Sequence, residues 1–523
     1  MFVIDCANLG FIFIFSFLQR YILTKKANIG FDMWGHLYFI KELKMQKTGP
    51  WGKLLTQDVE SKGFMHPFFW HFCMSFLAID FLIKRGKYLN VLLDSFFAMI
   101  IYISCKYLGY DMIFSLICSF LYLLTPMWFS DLSIGPRVTN FTPRLFSEIF
   151  VNFFFMVTLL PLPISFLIKL FGGAIFAFVA LASSKFGLQV LLFLAPAAYF
   201  FTNDALPVIS CVLGFLLIII LSKGKFLFVI KAQLAHLVWY FKNNLSGKTA
   251  IAGRNSLAFL FVWNPSLGVA RNFLRICYRA VGYNSFTGVL LKMPILPALY
   301  FILLFDFKKI DAHLFLLGPV FGASLVFLTV NIPVFLFLGE AERYLNHVAF
   351  FIIVAFLEFS YKYHLLIIAL LVYGLVYYMA EVLLFPKIQK SMVTQDDEEY
   401  SDKEIIDWLN SCQEDLRILC YPYHAVGVYK MMLFTAHQVL FPALSHLRDA
   451  DWIKIFAKFD NGYPYVKLDM LDEIADQYGV NFLILDRKSL LKNGYGQWRP
   501  SGKWSLLQLG NGKYFIYIKK AIL

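Results

Sequence analysis

The stretch ISFLIKLFGGAIFAFVALA, Ile164 to Ala182, decides the fold class of this chain. It contains one charged residue, Lys169, and its length approaches the roughly 20 residues that an α-helix needs to cross a bilayer. The blocks VLLDSFFAMIIYISC, Val91 to Cys105, and LPVISCVLGFLLIIILS, Leu206 to Ser222, have the same character. Long apolar blocks without amphipathic spacing predict a polytopic helical membrane protein.

The overall composition excludes a soluble globular protein. Hydrophobic residues make up 59% of the 523 residues, and phenylalanine alone occurs 59 times. A soluble domain could not bury that much apolar surface. We attribute the net charge of +13 to basic residues in cytoplasmic loops and near anionic headgroups. Because the chain has no arginine-rich tract and no nucleic-acid motif, we expect no nucleic-acid partner.

The apolar blocks of residues 1–385 predict about 10–13 transmembrane helices. We place the end of the second span at the basic cluster Lys84-Arg85-Gly86-Lys87, which the positive-inside rule assigns to the cytoplasm. The polar loop before that span, about residues 24–66, then lies on the outer face, and alternation places Gly339 to His347 there too. Lysines in the loop favour the opposite side, but charge counts are less reliable in long loops.

The composition changes at Pro386, so residues 386–523 are predicted to form a small soluble α/β domain. RILCYPY and VNFLILD are typical of buried strands. LDMLDEIADQYG predicts an amphipathic helix that ends at Gly479, and SLLQLGNGKYFIYIKK predicts a hairpin. We find no phosphate-binding loop and no nucleophile elbow in this region, so we expect the chemistry in the membrane part.

The stretch NIGFDMWGHLYFIKELK, Asn28 to Lys44, contains the first candidates for chemistry. On a helix, Asp32 and His36 would share one face. An acid at the membrane boundary could act as a general base, with Glu60 as a second acid that orients it. The same carboxylates could instead hold a divalent metal through oxygen ligands. The simpler alternative is a solvated interfacial loop whose acid caps a helix.

Three further basic or aromatic positions could line a pocket. His66 precedes the second span in GFMHPFFWHF, where its ordinary role would be that of an anchor. Arg137 in DLSIGPRVTNFTPRLFSE could meet an anionic headgroup, or it could anchor a connector. Lys185 lies among small residues in SSKFG, which would suit a phosphate, although a lone lysine at a span end commonly snorkels.

The late segment GEAERYLNH, Gly339 to His347, contains Glu342, Arg343 and Tyr344. Arginine at a membrane boundary is a good bidentate partner for phosphate. The alternative is an intramolecular pair between a glutamate and the arginine that fixes the loop.

Together, an acid soon after the first span, the His66-Pro67 entry to the second span and the late ERY segment resemble the GT-C class of integral-membrane glycosyltransferases. A terminal domain outside the membrane also fits that class. The resemblance implies that Asp32 is the base, that Glu60 is a candidate second acid and that Arg343 contacts the lipid phosphate. It further implies a polyprenyl-phosphate-linked sugar donor and, in some members, a divalent metal. The loop departs from the pattern of many members, because Asp32 is followed by Met33 and not by a second acid.

We therefore expect a membrane glycosyltransferase that moves a sugar from a polyprenyl-phosphate-linked donor to a glycan, lipid or protein acceptor. We expect it in the bacterial cytoplasmic (inner) membrane, with the active site and the C-terminal domain on the outer face. The expected donor-phosphate contacts are Arg343, Tyr344 and Lys185, and the remaining pocket candidates are His36, His66, Glu342 and Arg137. The alternatives are a transporter or flippase of lipid-linked glycans and a glycan polymerase or ligase.

Overall fold

A computed structural model describes the chain over residues 2–27, 31–59, 64–132, 137–245, 254–255, 260–263, 265, 268–384, 395–423, 425–440, 458–459, 461, 465–509 and 512–520. Most of these residues are helical, and one small sheet lies near the C-terminus. The predicted class, a helical membrane protein with a C-terminal α/β domain, is confirmed. The predicted boundary at residues 385 and 386 lies outside the described residues.

Eighteen described helices precede residue 385. The first eleven are α1 Phe2–Lys26, α2 Phe31–Gln46, α3 Phe69–Met74, α4 Ile79–Tyr107, α5 Met112–Leu124, α6 Pro126–Phe129, α7 Pro143–Leu159, α8 Phe166–Ser183, α9 Lys185–Thr202, α10 Leu206–Leu221 and α11 Phe226–Leu245. They are followed by α12 Val269–Tyr278, α13 Ser285–Lys292, α14 Ile295–Phe305, α15 Leu314–Val330, α16 Glu342–Asn346, α17 Ala349–Ser360 and α18 His364–Leu383. A π-helical turn covers Arg279–Tyr283, and 3₁₀ turns cover Phe307–Lys309, Asp311–His313 and Pro333–Leu338.

Six of the described helices are long and apolar enough to cross a membrane. Two further pairs of helices, each bent at a short break, could each form one span, which would give up to eight spans. The sequence prediction of about 10–13 spans also counted shorter apolar helices such as α5 and α17. Most of the α5 side chains and nearly all of the α17 side chains are buried inside the protein. One bent pair consists of α10 and α11, which meet at 117°.

Helix α4 corrects the predicted topology. We had placed the end of a span at Lys84-Arg85-Gly86-Lys87, but these residues lie within one continuous helix, Ile79–Tyr107. Lys87 Nζ donates to the carbonyl of Ala27, directly after α1, at 3.0 Å. The basic cluster therefore lies on the same side as the loop that contains Asp32. A helix of 29 residues can place its basic first turns at the membrane boundary and still cross the bilayer.

The C-terminal domain is built on five strands, with helices α19 Gln395–Ser411, α20 Val428–Phe434, α21 Leu471–Tyr478 and α22 Arg487–Lys492 around them. The strands are β1 Arg417–Tyr421, β2 Gln438–Leu440, β3 Phe482–Asp486, β4 Trp504–Leu507 and β5 Tyr514–Lys519, in the spatial order β2-β1-β3-β5-β4. β1 pairs in parallel with β2 and β3, whereas β5 is antiparallel to β3 and β4. The predicted strands, the helix ending at Gly479 and the C-terminal antiparallel pair are confirmed.

The two faces of this sheet are buried against different parts of the molecule. Ile418, Phe482 and Ile484 pack in one cluster with residues of α2 and α20. Leu419 and Leu483, which alternate with them, pack in a second cluster that includes Trp239 of α11. Alternation along a strand places neighbours on opposite faces, so both faces are covered. The domain thus rests on α2 and contacts α11, two elements that also border the candidate site.

Backbone and side-chain contacts join the first polar loop to this domain. Asp58 forms a parallel β-bridge with Val439, in which Val59 N donates to Val439 O at 3.0 Å. Lys41 Nζ of α2 donates to the carbonyl of Leu433 at 2.6 Å. At Gly35 there is little room for a larger residue, because a Cβ atom would lie 3.2 Å from the ring of Tyr429. The helix that contains Asp32 is therefore fixed by the C-terminal domain.

Candidate active site

A cavity of ≈ 160 Å³ lies where α2, α9 and the segment before α7 meet. It brings together five of the residues that the sequence singled out, although they are far apart in the chain. These five are Asp32, His36, His66, Lys185 and Arg343. The cavity is also lined by Asn140, Thr142, Pro143, Arg144, Ser184, Phe186 and His347. We call it the first cavity.

Asp32 lies in the first turn of α2 and is exposed to the first cavity. Protein surrounds the carboxyl beyond that opening. Desolvation therefore raises the pKa of Asp32 above the ordinary value of 3.8, and the negative charge of Glu340 adds to this rise. The positive charges of Arg343 and, to a smaller extent, Arg144 oppose it. A carboxylate with a raised pKa is a better proton acceptor than an ordinary aspartate when it is ionised.

The histidines near Asp32 are neutral. Burial lowers the pKa of His36 to about 3, and nearby Lys185 acts in the same direction. Burial also lowers the pKa of His66 and of His71 well below the usual value. His36 Nδ1 lies 2.8 Å from His71 Nε2, so one ring donates to the other. These rings can orient a substrate hydroxyl through hydrogen bonds, but they bring no positive charge to the site.

Three cationic side chains line the first cavity. Arg343 NH2 donates to Glu340 Oε1 at 2.9 Å, and its guanidinium lies 5.4 Å from the centre of the Phe186 ring. Arg144 Nε donates to Glu148 Oε1 at 3.0 Å. Lys185 Nζ forms no ion pair or hydrogen bond with any residue that the structure describes. Of the three, Lys185 is therefore the cation without a compensating acid.

Lys185 is also the first residue of α9. Ser184 is the N-cap, and its hydroxyl accepts hydrogen bonds from the backbone amides of Phe186 and Gly187 at 3.2 and 3.4 Å. The positive end of the helix dipole is thus directed at the same cavity as the lysine. Helix N-termini with a neighbouring cation are favourable sites for anions such as phosphate.

Three of the predicted residues that the structure describes, Tyr344, Glu342 and Arg137, do not line the first cavity. Tyr344 is fully buried, and its hydroxyl accepts from Gln189 Nε2 at 2.7 Å. Glu342 is buried and pairs with Arg254, while Ser285 donates to its Oε2 at 2.9 Å.

Burial alone would raise the pKa of Glu342, but Arg254 outweighs it and lowers the pKa to about 2. This side chain is thus held as a carboxylate in an internal pair. Glu60, the predicted second acid, lies outside the described residues.

Arg137 is buried behind the cavity in a network of charges. Its guanidinium donates to Asp94 Oδ1 at 2.6 Å and to Glu148, which also binds Arg144. Asp94 in turn accepts from Arg20 Nε at 2.7 Å. The network connects α1, α4, α7 and the segment before α7. Arg137 therefore acts through Glu148 on the position of Arg144.

Two titratable residues of the first cavity, Arg144 and His347, were not among the predicted site residues. Arg144 belongs to the second Pro-Arg pair of the polar segment, and the sequence offered no reason to choose it over Arg137. His347 ends the predicted ERY segment, and burial lowers its pKa to about 4. The sequence shows that both are basic residue types in polar segments. It does not show that their side chains line the cavity, because that depends on the fold.

Among the described residues, no group of three or more His, Cys, Asp or Glu side chains is arranged to hold a metal ion. The first cavity has one described carboxylate, Asp32, and its histidines already contact other protein atoms. This donor set does not fit the oxygen-rich shell that Mg²⁺, Ca²⁺ or Mn²⁺ prefers. We therefore derive no step through a metal.

The first cavity, with one described acid and several basic side chains, lies in a helical bundle that packs against a small α/β domain. The predicted GT-C fold is confirmed by similarity to the oligosaccharyltransferase of Archaeoglobus fulgidus, with a TM-score of 0.53 at 12% identity over 92% of this chain and 70% of that one.

The same archaeal enzyme tethered to an acceptor peptide gives a TM-score of 0.52 at 10% identity, over 98% of this chain and 74% of that one. Its complex with Zn and sulfate gives a TM-score of 0.51 at 10% identity, over 97% of this chain and 73% of that one. No protein-family model and no curated protein sequence matches the chain. At these identities the likeness is one of fold.

We expect Asp94→Asn to destabilise the protein by about 3 kcal/mol, because it leaves two buried guanidinium groups without their shared carboxylate. The control is Asp80→Asn, which removes an exposed carboxylate from the same helix. Thermal unfolding of the detergent-solubilised protein, followed by tryptophan fluorescence, measures the difference. Equal melting of the two variants would show that the network contributes little to the fold.

Proposed function

We propose that the protein is a membrane glycosyltransferase that moves a sugar from a polyprenyl-phosphate-linked donor to an acceptor. An acceptor atom attacks the anomeric carbon of the sugar, and the bond from that carbon to the donor phosphate oxygen breaks. The proton of the acceptor passes to Asp32, and the phosphate leaves with the bonding electron pair. The reaction needs a protein base close to the acceptor and positively charged side chains close to the leaving phosphate.

The observation that carries this proposal is the meeting of Asp32 with three cations in the first cavity. Desolvation raises the pKa of Asp32, which suits a base, and the cations oppose a complete loss of its charge. Lys185 and Arg343 come from separate parts of the chain, so the fold itself collects them. A solvated loop with a helix-capping acid, the simpler alternative, would not require three basic side chains around that acid.

The leaving phosphate has several donors available. Lys185 offers an amine that pairs with no acid among the described residues, beside the N-terminus of α9, and Arg343 and Arg144 offer planar guanidinium groups. In a site partly closed to water these charges act more strongly than they would in solution. The neutral rings of His36 and His66 would orient hydroxyl groups of donor or acceptor.

The acceptor class that we propose is a glycan, a lipid or a protein. The archaeal oligosaccharyltransferase of like fold has been captured with an acceptor peptide, which supports an acceptor that enters from water. Another form of that enzyme holds Zn and sulfate. Among the described residues of this chain no group of three potential ligands is arranged for a metal, so we assign stabilisation of the leaving phosphate to the cations.

A transporter or flippase was the alternative from a different class. Such a protein should have ionisable groups at mid-membrane on helices that rearrange. Asp94, the main mid-helix acid, is bound by Arg20, Arg137 and Tyr122 in one buried network. This network favours a fixed structural role. A glycan polymerase or ligase would use the same cations but would not depend on Asp32.

We propose that the first cavity and the C-terminal domain face the outside of the bacterial cytoplasmic membrane. The hydrogen bonds of Lys87 with Ala27 and of Lys41 with Leu433 support a common face for the cavity, the domain and the basic cluster of α4. The positive-inside rule alone would assign that face to the cytoplasm. We retain the outer assignment because the resemblance implies it and because lysines at this boundary can also bind anionic lipid phosphates.

We expect alkaline phosphatase fused to the C-terminus to be active in intact cells, because this reporter folds only outside the cytoplasm. A matched fusion to green fluorescent protein should be dark, since that reporter fluoresces only inside. The reverse pattern would place the site on the cytoplasmic face and would overturn the orientation, although not the chemistry.

We expect Asp32→Asn to lower the transfer rate by about 10²- to 10⁴-fold, the usual contribution of a general base. The assay follows labelled sugar from lipid-linked donors into acceptors in membranes of the expressing cells. The matched control is Asp415→Asn, an exposed aspartate of the C-terminal domain, which should keep the wild-type rate. If Asp32→Asn transfers sugar as fast as the wild type, Asp32 is not the base.

We also expect the charges around Asp32 to set the pH at which kcat/KM falls on the acidic side of its pH profile, which we call the acidic limb. Protonated Asp32 cannot accept a proton, so the rate falls as the pH drops through its pKa. Arg343→Gln removes a charge that lowers this pKa, so the limb should move to higher pH. Glu340→Gln removes a charge that raises it, so the limb should move to lower pH. Shifts in the same direction, or none, would contradict the assignment.

A further inference from the structure

A second cavity, of ≈ 250 Å³, adjoins the first. Lys185, Phe186 and Arg343 line both cavities and form the wall between them. Any group that the two cations hold at this wall therefore has space on two sides. One side contains Asp32. Apart from this wall and Glu340, which pairs with Arg343, the described residues on the other side have no role in the proposed reaction.

The chemistry of the second cavity differs from that of the first. Gln233, His236 and Tyr240 line it from α11, and their spacing of three and four residues places them on one helical face. Phe337 and Glu340 line it from the opposite side. The His236 and Tyr240 rings contact each other edge to face at 4.7 Å between centres. The lining thus combines aromatic rings with neutral hydrogen-bonding groups.

The two glutamine side chains of this cavity, Gln189 and Gln233, differ in their hydrogen bonds. Gln189 Nε2 donates to Leu338 O at 2.6 Å and to the hydroxyl of Tyr344 at 2.7 Å, so that side chain is part of the structure. Gln233 is only 6% exposed, and its Oε1 accepts no hydrogen bond from any residue that the structure describes. A buried acceptor without a donor is costly, and an ordered ligand is one of the few explanations for it.

Three classes of ligand fit this lining poorly. An anion would meet the carboxylate of Glu340, and the wall already offers a better site for it. A metal ion is disfavoured because no described group of three ligands exists there. An isoprenoid chain would leave Gln233 without a donor. A neutral ring with several hydroxyl groups remains, since hydroxyls donate to an amide oxygen and aromatic rings accept the C–H face of a sugar.

We infer that the second cavity is a subsite for one sugar ring, with Gln233 Oε1 accepting a hydrogen bond from a ring hydroxyl. The inference rests on the proposed function, because the phosphate at the Lys185–Arg343 wall places a sugar within reach. The ring belongs either to the donor or to a sugar-bearing acceptor. Both sources present the same hydroxyls to Gln233, and kinetics separate them.

The first test is binding, which needs no transfer reaction. Saturation-transfer NMR is recorded on the full-length protein in detergent with the methyl pyranosides of glucose, mannose, galactose and N-acetylglucosamine. We expect at least one probe to bind, and Gln233→Met to weaken that binding about tenfold through loss of one hydrogen bond. Gln413→Met, an exposed glutamine of the C-terminal domain, should bind as the wild type does.

Thermal unfolding separates a ligand role from a structural one. Methionine has nearly the shape of glutamine and adds no unpaired acceptor, so Gln233→Met should melt at the wild-type temperature or above it. If this variant does not fold, Gln233→Asn keeps the amide and withdraws it from the ring, and the same loss of binding is expected. A fall in melting temperature with unchanged probe binding would assign Gln233 to the fold and overturn the inference.

The second test uses transfer kinetics to identify the source of the ring. A tenfold rise in the donor KM of Gln233→Met assigns the ring to the donor, and a rise in the acceptor KM assigns it to the acceptor. If neither KM changes, or if no probe binding depends on Gln233, the cavity holds water only and the inference is wrong. Sugar binding without any transfer would instead reject the proposed function and leave the subsite intact.

Discussion

The buried ion network behind the first cavity is the constraint on which the rest of the structure depends. Asp94 and Glu148 are enclosed in protein, where an unmatched charge is very unfavourable. Arg20, Arg137 and Arg144 match them at distances up to 3.0 Å, and these residues come from α1, α7 and the segment before α7. The network can form only when these elements are packed together. Arg144 is its last member and the only one of the five that lines the first cavity.

The C-terminal domain fixes the other side of the site. It covers α2 through Tyr429 and Leu433, and it adds Val439 to the first polar loop by a β-bridge. Its opposite sheet face reaches Trp239 of α11, the helix that supplies Gln233 to the second cavity. The domain therefore contacts elements of both cavities, and none of its described residues lines either cavity. Its role in the fold is to hold two boundary helices in place over the membrane bundle.

Much of the fold was predictable because it depends on local patterns. The apolar blocks predicted membrane helices, and short apolar runs predicted β1 and β3 of the C-terminal sheet. Pairing of distant charges was not predictable. Arg137 and Arg144 both follow a proline in one segment, yet one is buried with Asp94 and the other faces the cavity. The cluster at Lys84 misled the topology for a related reason, since basic side chains in a helix can reach the boundary without ending the span.

The three cations of the first cavity are not equivalent as phosphate ligands. Arg343 would have to share its guanidinium with Glu340, and Arg144 with Glu148, so a phosphate would compete with an existing carboxylate at each. Lys185 has no such competitor among the described residues, and it lies at the N-terminus of α9. Binding there gains a charge pair and breaks none. Since Lys185 also lies in the wall between the two cavities, a phosphate held by it would adjoin both the cavity that contains Asp32 and the cavity that contains Gln233.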